Sequence, residues 1–397
     1  MKLPSDKVLG CVFAGWLGLF WLSYWLGNPV PVTVGNRPLA AFPPNTVRMF
    51  SSAWMQKASA WAIDHSPFRL RTIVEHNRVL LNAARLLQPL PVAPGNSDIC
   101  VGSDGWLFFM DEAQDKRSWR DQEKVVGYAL EIARAVTVSG RRFCLMPIPD
   151  KYSVYPERAG TLLRWADPGS VRERRWAMVG NAFENAPDVR PCYLALLPAY
   201  SEAKSDGHGQ LYWEHDTHWN SAGMLVALPK LLERLQPGVW DPRVVRSKSM
   251  AETRAGDLML SYLLQPATMS ATAYTITRPE PAKVETRVIP GYASGNLSRY
   301  RSDDPRTVKG RTLVITDSFM DGAIPLFAPW FEDVTFAHFG CTGSRELADR
   351  ISQCDTLVFT SVERLLRWRL GVWGSHHREY DYLVKALAGH PKAPDRP

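Results

Sequence analysis

From residue 121 onward, short apolar runs alternate with stretches of helical patterning, and this alternation limits the possible folds more than any other feature of the chain. The runs are Phe143–Ile148, Val189–Leu197, Arg311–Thr316, Val334–Phe339 and Thr356–Val362. A helix between two strands returns the chain to begin the next strand in the same direction. Strands that are apolar throughout must be covered on both faces. The predicted fold is α/β: a mostly parallel sheet with helices on both faces. Residues 121–138 supply one such helix, with Val125, Val126, Ala129, Ile132, Ala133 and Val136 on one side. Open sheets of this kind bind ligands beyond the carboxyl ends of their strands.

Upstream, residues 46–88 carry helical periodicity in Val47, Phe50, Trp54, Ala58 and Trp61, and again in Ile73, Val74, Leu80 and Leu81. Pro67 is expected to split this stretch into two helices. Val101–Phe109 has Asp104-Gly105 turn chemistry leading into an aromatic strand. Residues 237–305 lack clear periodicity and read as an insertion with short β pieces. The expected organisation is a cytoplasmic tip at 1–7, a membrane span at 8–26, a Pro-rich linker at 27–45, a helical segment at 46–95 and an α/β domain at 96–397.

The span rests on Val8–Leu26, a 19-residue run without a formal charge, long enough to cross a bilayer's hydrocarbon. Lys2 and Lys7 precede it, and the next basic residue is Arg37. The positive-inside rule then puts everything after Leu26 outside the cytoplasm, most simply in a bacterial periplasm. A cleaved signal peptide is the competing reading, but its apolar region would be shorter, with a small-residue cleavage site close behind. The 45% hydrophobic and 22% charged content excludes wholesale disorder. The net charge of +7 is dispersed rather than clustered, which argues against nucleic-acid binding. Cys100, Cys144, Cys192, Cys341 and Cys354 lie after the span, where disulfides are allowed. None has metal-ligand spacing such as Cys-x-x-Cys, so no zinc is expected, and no cofactor is expected.

Two short segments carry the chemistry. Asp216-Thr217-His218-Trp219 precedes a helical stretch, and Asp317-Ser318-Phe319 follows an apolar strand. Ser318 is a candidate nucleophile, His218 the base for its proton, and Asp216 the carboxylate that orients the base. Asn220 is placed to cap the next helix, and a helix following Ser318 would turn backbone N–H groups toward a developing oxyanion. His215, Asp216 and His218 are also an alternative set of metal ligands, without a clear fourth. Trp219 adjoins the candidate site, either as a flat platform for a sugar ring or as a core anchor.

These motifs, with others in the same order, resemble the periplasmic alginate O-acetyltransferases and related polysaccharide O-acetyltransferases. Asp64-His65-Ser66-Pro67-Phe68-Arg69 is similar to the family's Asp-His-x-x-x-Arg segment, and Val101–Phe108 to its Gly-x-x-Gly-Trp-Leu-Phe signature. Pro149-Asp150-Lys151 with Tyr155-Pro156-Glu157 is similar to a third stretch. Asp216–Trp219 and Asp317–Phe319 resemble its Asp-x-His-Trp and Gly-Asp-Ser-Phe motifs. Thr316 stands where the family often has Gly, a departure that would narrow the approach to Ser318 or adjust the oxyanion hole.

The resemblance implies a circularly permuted SGNH-hydrolase-like domain, flavodoxin-like in its sheet, with Ser318, His218 and Asp216 catalytic. Lys151 is a candidate contact for an acidic sugar, with a surface lysine as the alternative. The implied activity is transfer of an acetyl group through a serine acetyl-enzyme onto a secreted polysaccharide. The implied partners are the polysaccharide acceptor, a membrane-embedded acyltransferase that supplies acetyl groups, and an exopolysaccharide complex at the inner membrane. A periplasmic carbohydrate acetylesterase and a non-catalytic polysaccharide-binding subunit remain open alternatives.

Overall fold

The computed structural model describes residues 51–65, 67–87, 99–112, 122–159, 178–207, 209–262, 268–289 and 295–370, with short pieces within 15–49 and residues 384–387. The span expected at 8–26 falls outside the described residues, apart from Gly15 and Gly18. Among the described residues no helix is long and apolar enough to cross a membrane.

A short antiparallel pair of Thr33–Val34 with Arg37–Pro38 precedes the helices α1 (Ser52–Asp64) and α2 (Pro67–Leu87). The Ser51 hydroxyl caps α1 by accepting from the Trp54 N–H at 3.2 Å. Pro67 opens α2 at the first helical position, where a missing N–H breaks no helical bond. Strands β1 (Ile99–Val101) and β2 (Leu107–Phe109) then form an antiparallel hairpin. Its turn holds Asp104 and Gly105 at φ of 54° and 81°, the left-handed conformation that this residue pair tolerates.

In chain order there follow α3 (Gln122–Val138), β3 (Arg142–Ile148), α4 (Leu197–Ser205) and α5 (Ser221–Leu235). A ribbon of β4 (Glu252–Ala255) and β5 (Thr268–Ala271) comes next. The chain continues through β6 (Ala282–Val288), β7 (Asn296–Arg301), β8 (Val308–Thr316), β9 (Phe331–His338), α6 (Arg345–Gln353), β10 (Thr356–Val362) and α7 (Glu363–Arg369). The main sheet runs β6-β7-β9-β8-β10-β3. β9, β8, β10 and β3 are mutually parallel, and β6 and β7 extend the sheet antiparallel at one edge.

Counted from β8, the parallel strands lie in the order 2-1-3-4. Tyr193 takes the fifth place through a single parallel bridge to Leu145. This is the flavodoxin-like order, entered by this chain at its fourth strand, so the permutation is visible in the topology itself.

The run Val189–Leu197, expected to be a strand, is not one. Pro191 removes an N–H group that a ladder requires, and Pro198 directly after the run suits the first turn of a helix. Arg190–Cys192 instead form a tight 3-10 turn, and α4 starts at Leu197. The other four runs are strands.

Alternation along these strands divides the core. Cys144, Met146 and Ile148 of β3, Val314 of β8 and Val358 of β10 face one cluster, which α5 covers with Met224, Ala227, Leu228, Leu231, Leu232 and Leu235. Phe143, Leu145, Leu313, Ile315, Leu357 and Phe359 face the other, covered by Val125, Ala129, Ile132, Ala133 and Val136 of α3 and by Leu347 and Ile351 of α6. Each fully buried Leu or Phe contributes on the order of 2 kcal/mol through burial alone. This two-sided core fixes the carboxyl end of β8, where Ser318 lies.

Candidate active site

β8 ends at Thr316, and the chain turns at once. Asp317 is buried and fixes the turn from both sides: Oδ1 accepts from the Phe319 N–H at 3.1 Å, while Oδ2 accepts from the Val362 N–H at 2.8 Å and the Ser361 hydroxyl at 3.0 Å. The turn is thereby fastened to the end of β10, beside the topological switch point between β8 and β10. Ser318 stands exposed on it. No full helix follows. Residues Ser318–Met320 make one 3-10 turn, and Pro325 and Pro329 limit the next segments to short pieces. The backbone N–H groups at this turn therefore have no long helix dipole behind them. Thr316 is buried and its hydroxyl donates to the Asp317 carbonyl (3.2 Å), so it braces the turn and leaves Ser318 open.

The Asp-x-His segment arrives from the opposite direction. Residues 211–220 double back on themselves: the Trp213 N–H donates to the His218 carbonyl at 3.2 Å, and the Asn220 N–H to the Leu211 carbonyl at 3.1 Å. Asn220 caps α5 as expected, accepting from the Gly223 N–H at 3.1 Å. Inside this loop Asp216 Oδ1 accepts from the His218 backbone N–H at 2.8 Å and lies 2.6 Å from His218 Nδ1. His218 Nε2 is 3.1 Å from Ser318 Oγ. The three expected side chains thus form one line. With the Nδ1 hydrogen donated to Asp216, Nε2 presents its lone pair to the serine hydroxyl.

Electrostatics follow from burial and neighbours. Burial opposes the charge on His218, but hydrogen bonds to Asp216 and Asp257 outweigh it and hold the imidazole pKa above its ordinary 6.5. Burial likewise opposes ionisation of Asp216, yet its bond to His218, with the charges of His218 and Arg254, keeps it well below the usual carboxylate range.

Two expected substrate contacts are corrected. Trp219 is 0% exposed, and its indole N–H donates to the Phe319 carbonyl at 2.7 Å. It supports the nucleophile turn and offers no face to a sugar. Lys151 is also 0% exposed. Its ammonium donates to the carbonyls of Trp213 (3.2 Å), Glu214 (3.1 Å) and Asp216 (2.7 Å), so all three donors hold the Asp-x-His loop and none reaches solvent. Around it, Arg364 pairs with Asp150 and lies 5.4 Å from the Phe319 ring. Glu363 accepts from the Asp150 N–H (3.2 Å) and the Ser153 hydroxyl (2.6 Å). Burial, then the Asp150 charge, pushes Glu112 up to about 7.

Two residues that the sequence did not mark complete the site. Arg254 on β4 donates through Nε to Asp216 Oδ2 at 2.6 Å. Asp257 donates its backbone N–H to the same oxygen at 3.0 Å. Its carboxylate accepts from the Thr217 N–H (2.8 Å) and hydroxyl (2.7 Å). Gly256 allows this docking, because a Cβ there would lie 2.2 Å from the His215 carbonyl oxygen. The set His215, Asp216 and His218 does not assemble, since His215 Nε2 turns to the Gly105 carbonyl at 3.1 Å. Asp216, His218 and Asp257 do bring three ligand atoms within 4.8 Å of one another. The Arg254 guanidinium already occupies their flank as the balancing cation.

The fold and site define an SGNH-hydrolase-like α/β domain. Residues 99–290 match the family described as "SGNH hydrolase-like domain, acetyltransferase AlgX". That stretch holds Asp216 and His218, and Ser318 lies beyond it. The chain is 28% identical over 137 residues to the Pseudomonas aeruginosa protein "Probable alginate O-acetylase AlgJ", covering 34% of this chain and 33% of that one. It is 29% identical over 139 residues to the protein of the same name from Pseudomonas syringae pv. tomato, covering 34% and 33%. The aligned stretch thus spans about a third of the length of these relatives. The solved structure of Bacillus cereus PatB1 with a sulfonyl adduct superposes with a TM-score of 0.52 at 11% identity, covering 70% of this chain and 99% of that one, a likeness of fold. Of the motifs that carry the resemblance, Val101–Phe108, Pro149–Glu157 and Asp216–Trp219 lie in the matched stretch.

Proposed function

We propose that this protein is a polysaccharide O-acetyltransferase that works through an acetyl-enzyme on Ser318. The observation that carries the reading is the line from Asp216 to His218 to an exposed Ser318, with the 2.6 Å and 3.1 Å contacts described above. The AlgX domain match and the names of the two AlgJ relatives supply the acyl group and the acceptor class.

In the first half-reaction Ser318 Oγ attacks the carbonyl carbon of an acetyl ester, and its proton passes to His218 Nε2. The backbone N–H of Ser318 is the donor offered to the oxyanion. Collapse expels the donor alcohol, which takes the proton from His218 and leaves acetyl-Ser318. A sugar hydroxyl then attacks, gives its proton to His218 and departs with the acetyl group as the Ser318 Oγ–C bond breaks. Oγ recovers the proton. The acetyl group is supplied by a membrane-embedded acyltransferase. The chain acts on the outer side of the inner membrane, held there by residues 8–26, within an exopolysaccharide complex.

The exposure of Ser318 favours one second reading: water as the acceptor, which makes the protein a carbohydrate acetylesterase. One assay separates the two. The full chain is incubated with 4-nitrophenyl acetate and polysaccharide fragments, and acetyl on the fragments is read by mass spectrometry beside free acetate. Ser318-dependent acetylation of fragments supports transfer. Free acetate alone supports hydrolysis, and turnover that persists in Ser318→Ala refutes both.

A further inference from the structure

Two carboxylates approach one imidazole nitrogen: Asp216 Oδ1 lies 2.6 Å and Asp257 Oδ2 3.5 Å from His218 Nδ1. A serine relay needs one. Two negative charges favour the imidazolium, and an imidazolium cannot accept the Ser318 proton. Arg254 faces the same place. Its Nε holds Asp216 Oδ2 at 2.6 Å, and its Nη2 lies 3.2 Å from His218 Nδ1. The Nδ1 hydrogen is engaged by Asp216, so the guanidinium meets that edge with like polarity and opposes a positive ring.

We propose that Arg254 is a positioning residue of the relay, pinning Asp216 so that its other oxygen faces Nδ1 and offsetting the charge of Asp257 so that His218 meets a net single negative charge. This rests on the acetyl-transfer reading only for its consequence in rate. The construction is local. Arg254 is the penultimate residue of β4, opposite Met269 of β5, and Gly256 lets the following backbone press on His215 so that Asp257 enters beside it. Three further charged groups act on this site. Asp321, just after the nucleophile turn, interacts with His218 and with Arg254. Lys151 lies behind the loop and interacts with Asp216 and Asp257. Arg364 interacts with Asp257 and is itself paired with Asp150.

The test is hydrogen–deuterium exchange at histidine C2, read by mass spectrometry on the full chain, which titrates His218 whether or not the protein turns over. Arg254→Gln is expected to raise the His218 pKa by about one unit, the size suited to a neighbouring charge that is partly exposed. Asp257→Asn is expected to lower it, and the double variant to return it close to the parent value. The acid limb of the pH–rate profile moves with each. Arg254→Lys keeps the charge without the fork, so it keeps the pKa but lowers the plateau rate. An unmoved His218 in both single variants, with rate lowered evenly at every pH, overturns the proposal. Should Arg254→Gln fail to fold, the direction of the Asp257→Asn shift decides alone. A parent chain without Ser318-dependent turnover refutes the acetyl-transfer reading and leaves this titration valid.

Discussion

In the proposed reaction Ser318, His218 and Asp216 act as a unit, so removing any one is expected to cost nearly the whole effect. Ser318→Ala and His218→Ala should each lower 4-nitrophenyl acetate turnover by roughly three to four orders of magnitude, followed as nitrophenol release. The relay needs a neutral imidazole, and the carboxylates raise its pKa. Activity is therefore low at acid pH and rises as pH climbs through that raised value. The acid limb of kcat/KM should have its midpoint above 6.5; a midpoint below that contradicts the described balance. Trp219→Phe keeps the ring but deprives the Phe319 carbonyl of its donor, at an expected cost of about 1–3 kcal/mol in urea unfolding. KM for the polymer should stay unchanged, whereas a stacking platform would raise it. The triad is legible in the sequence because its members sit in two short contiguous motifs. Arg254 and Asp257 are not, because they come from a ribbon without periodicity and reach Asp216 only through tertiary docking. Lys151 reads as a surface lysine because a buried ammonium is rare. Its carbonyl partners lie 62 to 65 residues further along the chain.

At the scale of elements, period-two apolar runs and amphipathic helices specify which faces meet, and four of the five expected strands form. Val189–Leu197 reads as a strand by apolarity alone, while its prolines decide against a ladder. The helix expected after Ser318 shortens for the same reason. α5 both covers the sheet and begins directly after His218. Leu228→Ala, at a fully buried position of α5, should cost about 2–5 kcal/mol in chemical denaturation. Gly256→Ala should leave the core intact and misplace the β4–β5 ribbon, because its Cβ meets the His215 carbonyl. Roughly a tenfold or greater loss of turnover is expected, with far-ultraviolet circular dichroism unchanged. Parent-like turnover would show that the ribbon does not support the site.

For the whole molecule, the permuted order places the Asp-x-His loop before the nucleophile in sequence, while the sheet brings both to one end. Sequence motifs show the pieces and their order; only the topology shows why pieces 100 residues apart meet. Among the described residues, Cys144, Cys192, Cys341 and Cys354 are buried free thiols. Reductant should therefore leave the melting temperature unchanged, whereas a structural disulfide worth ~2–4 kcal/mol would show as a fall of several degrees. The central claim is that the three side chains carry an acetyl group on Ser318. Its most direct measurement is peptide mapping of the full chain, quenched with acid within seconds of mixing with 4-nitrophenyl acetate. An acetyl increment is expected on the peptide containing Ser318, absent in His218→Ala and removed from the parent by added polysaccharide. An unmodified Ser318 while nitrophenol is released, or an equal increment in His218→Ala, would contradict it.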